Sequence, residues 1–230
     1  MKKLKIALDG PSGAGKSTLA KMLAKELGLV YVDTGALYRA VGLYVRRADA
    51  DPHDPAAVEA LLDGICVELK YVGGRQTVLL SGEDVGSLIR TGEISMYASA
   101  VSAIPAVRQF LFKTQRDMCD RGGVVMDGRD IGTVIMPDAD VKMFVVASPE
   151  ARAERRCKEL REKGDNCTYE EVLRDIMKRD AADSGRDIAP AVAAPDAVVL
   201  DNSDLTLDET LDAALEIIRN KCGAQMTERE

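Results

Sequence analysis

Gly10-Pro11-Ser12-Gly13-Ala14-Gly15-Lys16-Ser17 decides the fold of this chain. The eight residues fit the pattern Gly, four free positions, then Gly-Lys-Ser/Thr, which marks a phosphate-binding loop. They follow an apolar strand signal from Leu4 to Leu8 and precede a helix pattern from Lys16 to Leu27, the context such a loop requires. Gly10, Gly13 and Gly15 let the backbone wrap so that successive N–H groups point at an anion. The helix that opens at Gly15-Lys16 adds the positive end of its dipole. Lys16 can reach outer phosphates, and the Ser17 hydroxyl can ligate Mg²⁺. The stretch from Gly10 to Thr18 is therefore expected to hold a nucleoside triphosphate.

Working outward, five short apolar runs read as buried parallel strands, because they are nearly continuous and not alternating. They are Leu4–Leu8, Leu29–Val32, Val124–Met126, Val141–Ala147 and Ala197–Leu200. Helical patterns separate them. Leu19, Leu23 and Leu27 recur every fourth residue beside Ala20 and Ala24, and Gly28 suits the helix stop. Near the end, Leu207, Leu211, Leu215 and Ile218 are expected on one helical face. Strands alternating with helices predict a doubly wound α/β fold with ligands at the carboxyl ends of the strands.

Two stretches depart from that alternation. Val67-Glu68-Leu69-Lys70-Tyr71 has period two, Gly73-Gly74 signals a turn, and Thr77–Leu80 resumes as a strand, which predicts a small antiparallel insertion. Ala151–Arg161 is helical and arginine-rich, and Thr168 with Glu171 forms a capping box for a further helix. That helix pair reads either as a solvated surface or as a lid closing over phosphates.

Composition narrows the function classes. A net charge of −7 argues against a nucleic-acid or anionic-membrane surface, which needs spread-out positive charge. No apolar run approaches membrane-span length. Met1-Lys2-Lys3 leads straight into a strand with no signal-peptide pattern, so a cytoplasmic protein is expected. The five cysteines are odd in number and lack CxxC spacing, which suits free thiols better than a disulfide framework or a zinc site. His53, the only histidine, falls in the loop-like Asp51–Pro55, so histidine chemistry is not expected.

Three further clusters carry chemistry. Asp33-Thr34-Gly35-Ala36-Leu37-Tyr38-Arg39 puts a hydroxyl, a ring and an arginine after the second strand, either to recognise a second anion or as a helix capped by Thr34. Asp127-Gly128-Arg129-Asp130 follows the third strand. An Asp there can hold a metal or its water and Arg129 can bridge phosphates, or the four form a charged tight turn. Arg179, Asp183 and Arg186 concentrate opposite charges at a helix end, where they can hold a ribose and a polar base edge or form surface ion pairs.

Taken together these motifs resemble the bacterial cytidylate kinases. The resemblance rests on the phosphate loop, Asp33–Arg39, Gly82-Glu83-Asp84-Val85, Ile89-Arg90-Thr91, Asp127–Val134 and Lys178-Arg179-Asp180, in the family's order from about Leu4 to Ile218. It implies a P-loop kinase fold with a five-stranded parallel sheet, an antiparallel insertion on the acceptor side and a short lid. The divisions would be a core over 1–62, an insertion over 63–90, core over 91–149, a lid over 150–170, core over 171–222 and a tail from 223. It also implies ATP as phosphoryl donor, Mg²⁺, and CMP or dCMP as acceptor, in a monomeric enzyme. Thr34, Arg39 and Arg129 would hold the acceptor phosphate, with Tyr38 lining the same pocket. Ser99, Arg108, Asp130 and Arg186 would surround the cytosine, while Arg179 and Asp183 would take the ribose. Some members carry Ser where Thr34 stands, and either hydroxyl can serve.

Asp130 is chemically the telling position, since a carboxylate accepts from the exocyclic amine of cytosine but meets a carbonyl in uracil. The acceptor atom is an anionic phosphate oxygen, so no general base is needed. Catalysis would rest on Lys16, on Mg²⁺ held by Ser17 and, through water, by Asp127, on Arg129, and on lid arginines, of which Arg152 and Arg156 are favoured over Arg155. A kinase for another small acceptor would share fold and loop. A GTP-binding switch should carry Asn-Lys-x-Asp, and Asn220-Lys221-Cys222-Gly223 lacks the Asp.

Overall fold

The chain alternates as its apolar runs require. In the computed structural model, which describes residues 3–72, 75–162, 164, 166–185 and 190–223, β1 spans Lys5–Asp9, α1 Lys16–Glu26, β2 Val30–Asp33, α2 Thr34–Arg47 and α3 Pro55–Glu59. Then come β3 (Val67–Val72), β4 (Arg75–Leu80) and β5 (Glu83–Asp84), followed by α4 (Gly92–Val101) and α5 (Pro105–Asp120). The order closes with β6 (Val124–Asp127), β7 (Val141–Val146), α6 (Pro149–Glu162), α7 (Tyr169–Ser184), β8 (Val198–Asp201) and α8 (Leu207–Cys222). Two compact units result, residues 1–31 with 122–230, and residues 32–121.

In the first unit the strands form a five-stranded parallel sheet in the order β2-β6-β1-β7-β8. Ile6, Ala7 and Leu8 of the central strand are fully buried, as are Val125 and Met126 beside them. Edge strands escape this rule, and Val30 and Val199 are exposed. Leu19, Leu23, Ala20 and Ala24 of α1 pack on the sheet with Ala214 and Ile218 of α8. The buried seam of α8 runs through Thr210, Ala214 and Ile218, flanked by the partly buried Leu211 and Leu215. Leu207, expected on that face, is exposed because it is the first residue of the helix and lies outside the packed turns.

The parallel register brings Leu8 beside Asp127 and Asp9 beside Phe144. Carboxylates thus collect at the carboxyl ends of the central strands, where the first loop of an α/β sheet binds ligands.

The second unit is built around its own core of Leu37, Val41, Val45, Ile89, Val101, Val107 and Leu111. Its sheet is the expected antiparallel one, with β3 pairing β4 from Val67↔Leu80 to Val72↔Arg75 and β4 pairing β5 at Leu79↔Asp84. Helices α6 and α7 carry a third, smaller cluster in which Ala153, Cys157 and Val172 are buried. The predicted capping box at Thr168 and Glu171 is formed.

Candidate active site

β1 ends in Asp9 and the chain turns at Gly10, whose φ is 141°. A Cβ there would lie 2.0 Å from the Val145 carbonyl oxygen, so only glycine fits against β7. Gly15, at φ 84°, opens α1, and its carbonyl accepts from the Thr18 and Leu19 amides at 3.1 and 3.0 Å. Lys16 is buried, and its Nζ donates to the Pro11 carbonyl at 2.6 Å across the loop. Burial and the neighbouring Arg129 guanidinium hold its proton affinity well below the usual lysine range, against the pull of Asp127, Asp9 and Asp183. A bound polyphosphate would supply the negative charge this ammonium lacks.

Ser17 and Asp127, read as the metal site, do meet. The Ser17 hydroxyl donates to Asp127 Oδ2 at 2.7 Å, and the Tyr31 hydroxyl donates to Oδ1 at 2.9 Å. A hydroxyl and a carboxylate are hard oxygen ligands of the kind Mg²⁺ takes through one or two protein groups and several waters. The residues present therefore fit the ion.

Beyond Asp127 the chain folds back on β1. The Gly128 amide donates to the Leu8 carbonyl at 3.0 Å. Arg129 Nε then donates to Asp183 Oδ2 of α7 at 2.9 Å, and both Asp130 and Asp183 are buried. Arg179 stands one helical turn before Asp183 on α7, as its spacing requires. Arg186 lies outside the described residues.

Three of the α6 arginines, Arg152, Arg155 and Arg156, have separate environments. Arg152 is 3% exposed and forms a fork onto Asp180, with Nη1 to Oδ1 at 2.9 Å and Nη2 to Oδ2 at 2.6 Å. It also donates to the carbonyls of Ser12 in the phosphate loop and Ala147 after β7, at 3.0 and 2.9 Å. Arg155 grips the Asn202 carbonyl at 2.6 Å, and Asn202 in turn donates to the Ala14 carbonyl at 3.0 Å. Arg156 is exposed and pairs with Glu159 at 3.0 Å.

The second unit holds the remaining expected residues. The N-cap of α2 is Asp33, which accepts from the Ala36 amide at 2.9 Å, so the capping reading of Thr34 is corrected: Thr34 is the first helical residue, and buried. Asp33 Oδ2 also takes Arg39 Nη2 at 2.8 Å. The Arg108 guanidinium lies 5.6 Å from the centre of the Tyr38 ring and donates to the Ser102 carbonyl at 3.1 Å. Ser102 donates back to the Ser99 carbonyl at 2.9 Å. Tyr38, Ser99 and Arg108 are thus joined around the α4–α5 junction.

Several residues that the sequence reading did not single out support these groups. Gln76 of β4 accepts from the Asp33 amide at 2.9 Å and donates to the Asp33 carbonyl at 3.4 Å. Asp9 accepts the Ile131 and Gly132 amides at 2.7 Å each. Asn202 and Asp180 hold the phosphate loop and Arg152. The signal for Asp9 and Asn202 was available, a polar residue at the carboxyl end of an apolar strand. His53 is exposed in its turn, and all five cysteines are free. Among the described residues no helix is long and apolar enough to cross a membrane.

Comparison with known proteins adds to this geometry. A chain described as an uncharacterized protein from Eubacterium ventriosum superposes with a TM-score of 0.52 at 13% identity, covering 95% of this chain and 99% of that one, a likeness of fold alone. Among curated sequences, the cytidylate kinase of Caldicellulosiruptor saccharolyticus is 47% identical over 98% of this chain and 100% of its own length. That of Fervidobacterium nodosum is 48% identical over 95% of this chain and 97% of its own. The cytidylate kinase family model matches residues 6–220. With a phosphate loop, the Asp127–Asp130 turn and a match over nearly its whole length, the chain belongs to the cytidylate kinase family.

Proposed function

We propose that this protein transfers the γ-phosphoryl group of ATP to CMP, and to dCMP, giving ADP and the pyrimidine diphosphate. The observation that carries this is the family match over residues 6–220, supported by a loop in which Lys16 bonds the Pro11 carbonyl and Ser17 bonds Asp127. Two anionic substrates must align with little covalent help from the protein. The loop amides and Lys16 hold the triphosphate, and Ser17 with Asp127 holds Mg²⁺, which neutralises charge on the phosphate oxygens when bound. Arg39, Thr34 and Arg129 hold the acceptor phosphate, while Tyr38, Ser99, Arg108, Asp130 and Arg186 surround the base. Arg179 and Asp183 take the ribose.

Ion pairs that hold two of these arginines support the reading. Asp33 aims Arg39, and Asp183 aims Arg129, at 2.8 and 2.9 Å. Arg152 and Arg156 serve the transferred group from the lid, Arg152 only by exchanging its Asp180 partner. The acceptor oxygen is ionised near neutral pH, so no residue needs to remove a proton. Five free thiols suit a reducing compartment, and we place the enzyme in the cytoplasm as a monomer. The test is a coupled assay of ADP formation with ATP, Mg²⁺ and a panel of CMP, dCMP, UMP and AMP. CMP-dependent turnover is expected to exceed UMP-dependent turnover by about a hundredfold or more. Turnover with AMP or UMP above CMP would overturn the reading.

A further inference from the structure

The turn that carries Arg129 and Asp130 is anchored at both ends to two consecutive residues of β1. On its near side the Gly128 amide donates to the Leu8 carbonyl at 3.0 Å. On its far side the Ile131 amide donates to Asp9 Oδ1 and the Gly132 amide to Asp9 Oδ2, each at 2.7 Å. Arg129 and Asp130 are the two residues left between these anchors. After them comes a single π-helical turn, Ile131–Ile135, whose first amides are the ones Asp9 receives. Asp130 itself offers no cap to that turn. The carboxylate of Asp9 takes the capping role at that turn.

Asp9 is 3% exposed, an expensive place for a charge, and burial raises its pKa to about 6 even with two amides bound. Asn in its place could accept only one of those amides and would turn an NH₂ toward the other. The fit is tight from the far side too. A Cβ on Gly132 would lie 3.3 Å from Asp9 Oδ2 and 3.1 Å from Lys142 Cδ.

We infer that Asp9 is a positioning residue for acceptor selection, fixing the Arg129–Asp130 segment so that Asp130 reads the cytosine amine. The inference rests on the assignment of Asp130 to the base given above. It places the determinant of base choice partly in the residue before the phosphate loop, with no contact of its own to the pyrimidine.

The test compares full-length wild type, Asp9→Asn, Gly132→Ala and Asp130→Asn by kcat and KM for CMP, UMP and ATP. For Asp9→Asn the ratio of kcat/KM for CMP over UMP should fall about tenfold, with the KM for CMP raised and the KM for ATP within about twofold. Gly132→Ala, which disturbs the same clamp from its other side, should move the ratio in the same direction and carries the measurement if Asp9→Asn does not fold. Combining Asp9→Asn with Asp130→Asn should cost no further discrimination, because both act on one contact. A general structural defect would instead lower kcat alike for both acceptors and leave the ratio intact, and that result overturns the inference. If Asp130→Asn leaves the ratio unchanged, the assignment of Asp130 fails. If Asp130→Asn erodes it while Asp9→Asn and Gly132→Ala do not, that assignment stands and the role of Asp9 is refused.

Discussion

The phosphate loop and the acceptor residues are built in opposite ways. The loop is one continuous stretch, Gly10–Thr18, whose shape is set by Gly10, Gly13 and Gly15, all at positive φ. The proposed acceptor set is drawn from stretches between Thr34 and Arg186, and several of its described members are held by other residues: Arg39 by Asp33, which Gln76 holds in turn, Arg129 by Asp183, and the Asp130 turn by Asp9. A loop of the first kind is disabled by changing one of a few residues. A set of the second kind should fail by degrees, through its supports as well as its members.

That contrast can be broken or sharpened by experiment. The largest effect belongs to the loop. Lys16→Ala should reduce phosphoryl transfer by about a thousandfold, as loss of a group that stabilises transition-state charge does, while leaving the folded state intact by circular dichroism. Near-normal turnover would erase the distinction.

Asp9 sits at the join of the two regions and can be read through stability. Its folded-state pKa of about 6 lies above the 3.8 of an ordinary Asp, so the native protein binds the proton more tightly than the unfolded chain. Its contribution therefore favours folding at low pH and declines as pH rises from about 4 to 6, by about 3 kcal/mol in all. Urea titrations of wild type and Asp9→Asn across that window should show their stability difference shifting against wild type with rising pH. Parallel pH profiles would contradict the buried, charged Asp9.

Arg39→Ala should raise the KM for CMP by about thirtyfold and the KM for ATP by under threefold, since only the acceptor loses a charged partner. Equal changes in both would remove it from the acceptor side. The smallest effect is expected at Gln76, which touches main chain only. Gln76→Ala should raise the KM for CMP about fivefold, in line with loss of one or two neutral hydrogen bonds that steady Asp33. No change there would mean that the antiparallel sheet does not govern the acceptor residues through this link.

Reading the sequence recovered what is encoded locally. The loop, the five strands, the antiparallel insertion and the capping box at Thr168 all follow from spacing over a few residues. The expectation for Leu207 failed because periodicity carries no information about where a helix stops being covered. Thr34 was weighed as a cap although Asp33, one residue earlier, has the extended backbone of an N-cap and takes the role. Asp9, Gln76 and Asn202 went unmarked, and Asp180 had no role of its own, because their importance lies in partners 28 to 188 residues away. Nothing in a single sequence announces such distances, although a carboxylate or amide at the mouth of an apolar strand is a hint worth following.

Arg152 and Arg155 fasten the start of α6 to rigid main chain, at Ser12, Ala147 and Asn202. For the helix pair to swing as a lid, the pivot would have to lie past residue 155, because five hydrogen bonds, from Arg152 to Ser12 and Ala147 and from Arg155 to Asn202 and Ser203, would otherwise break together. The mobile portion would then be the outer half of α6, with Arg156 the first cation free to travel. Such an arrangement would let Arg152 meet the transferred group from the fixed frame by exchanging Asp180, and would leave the reaching to Arg156 one turn outward.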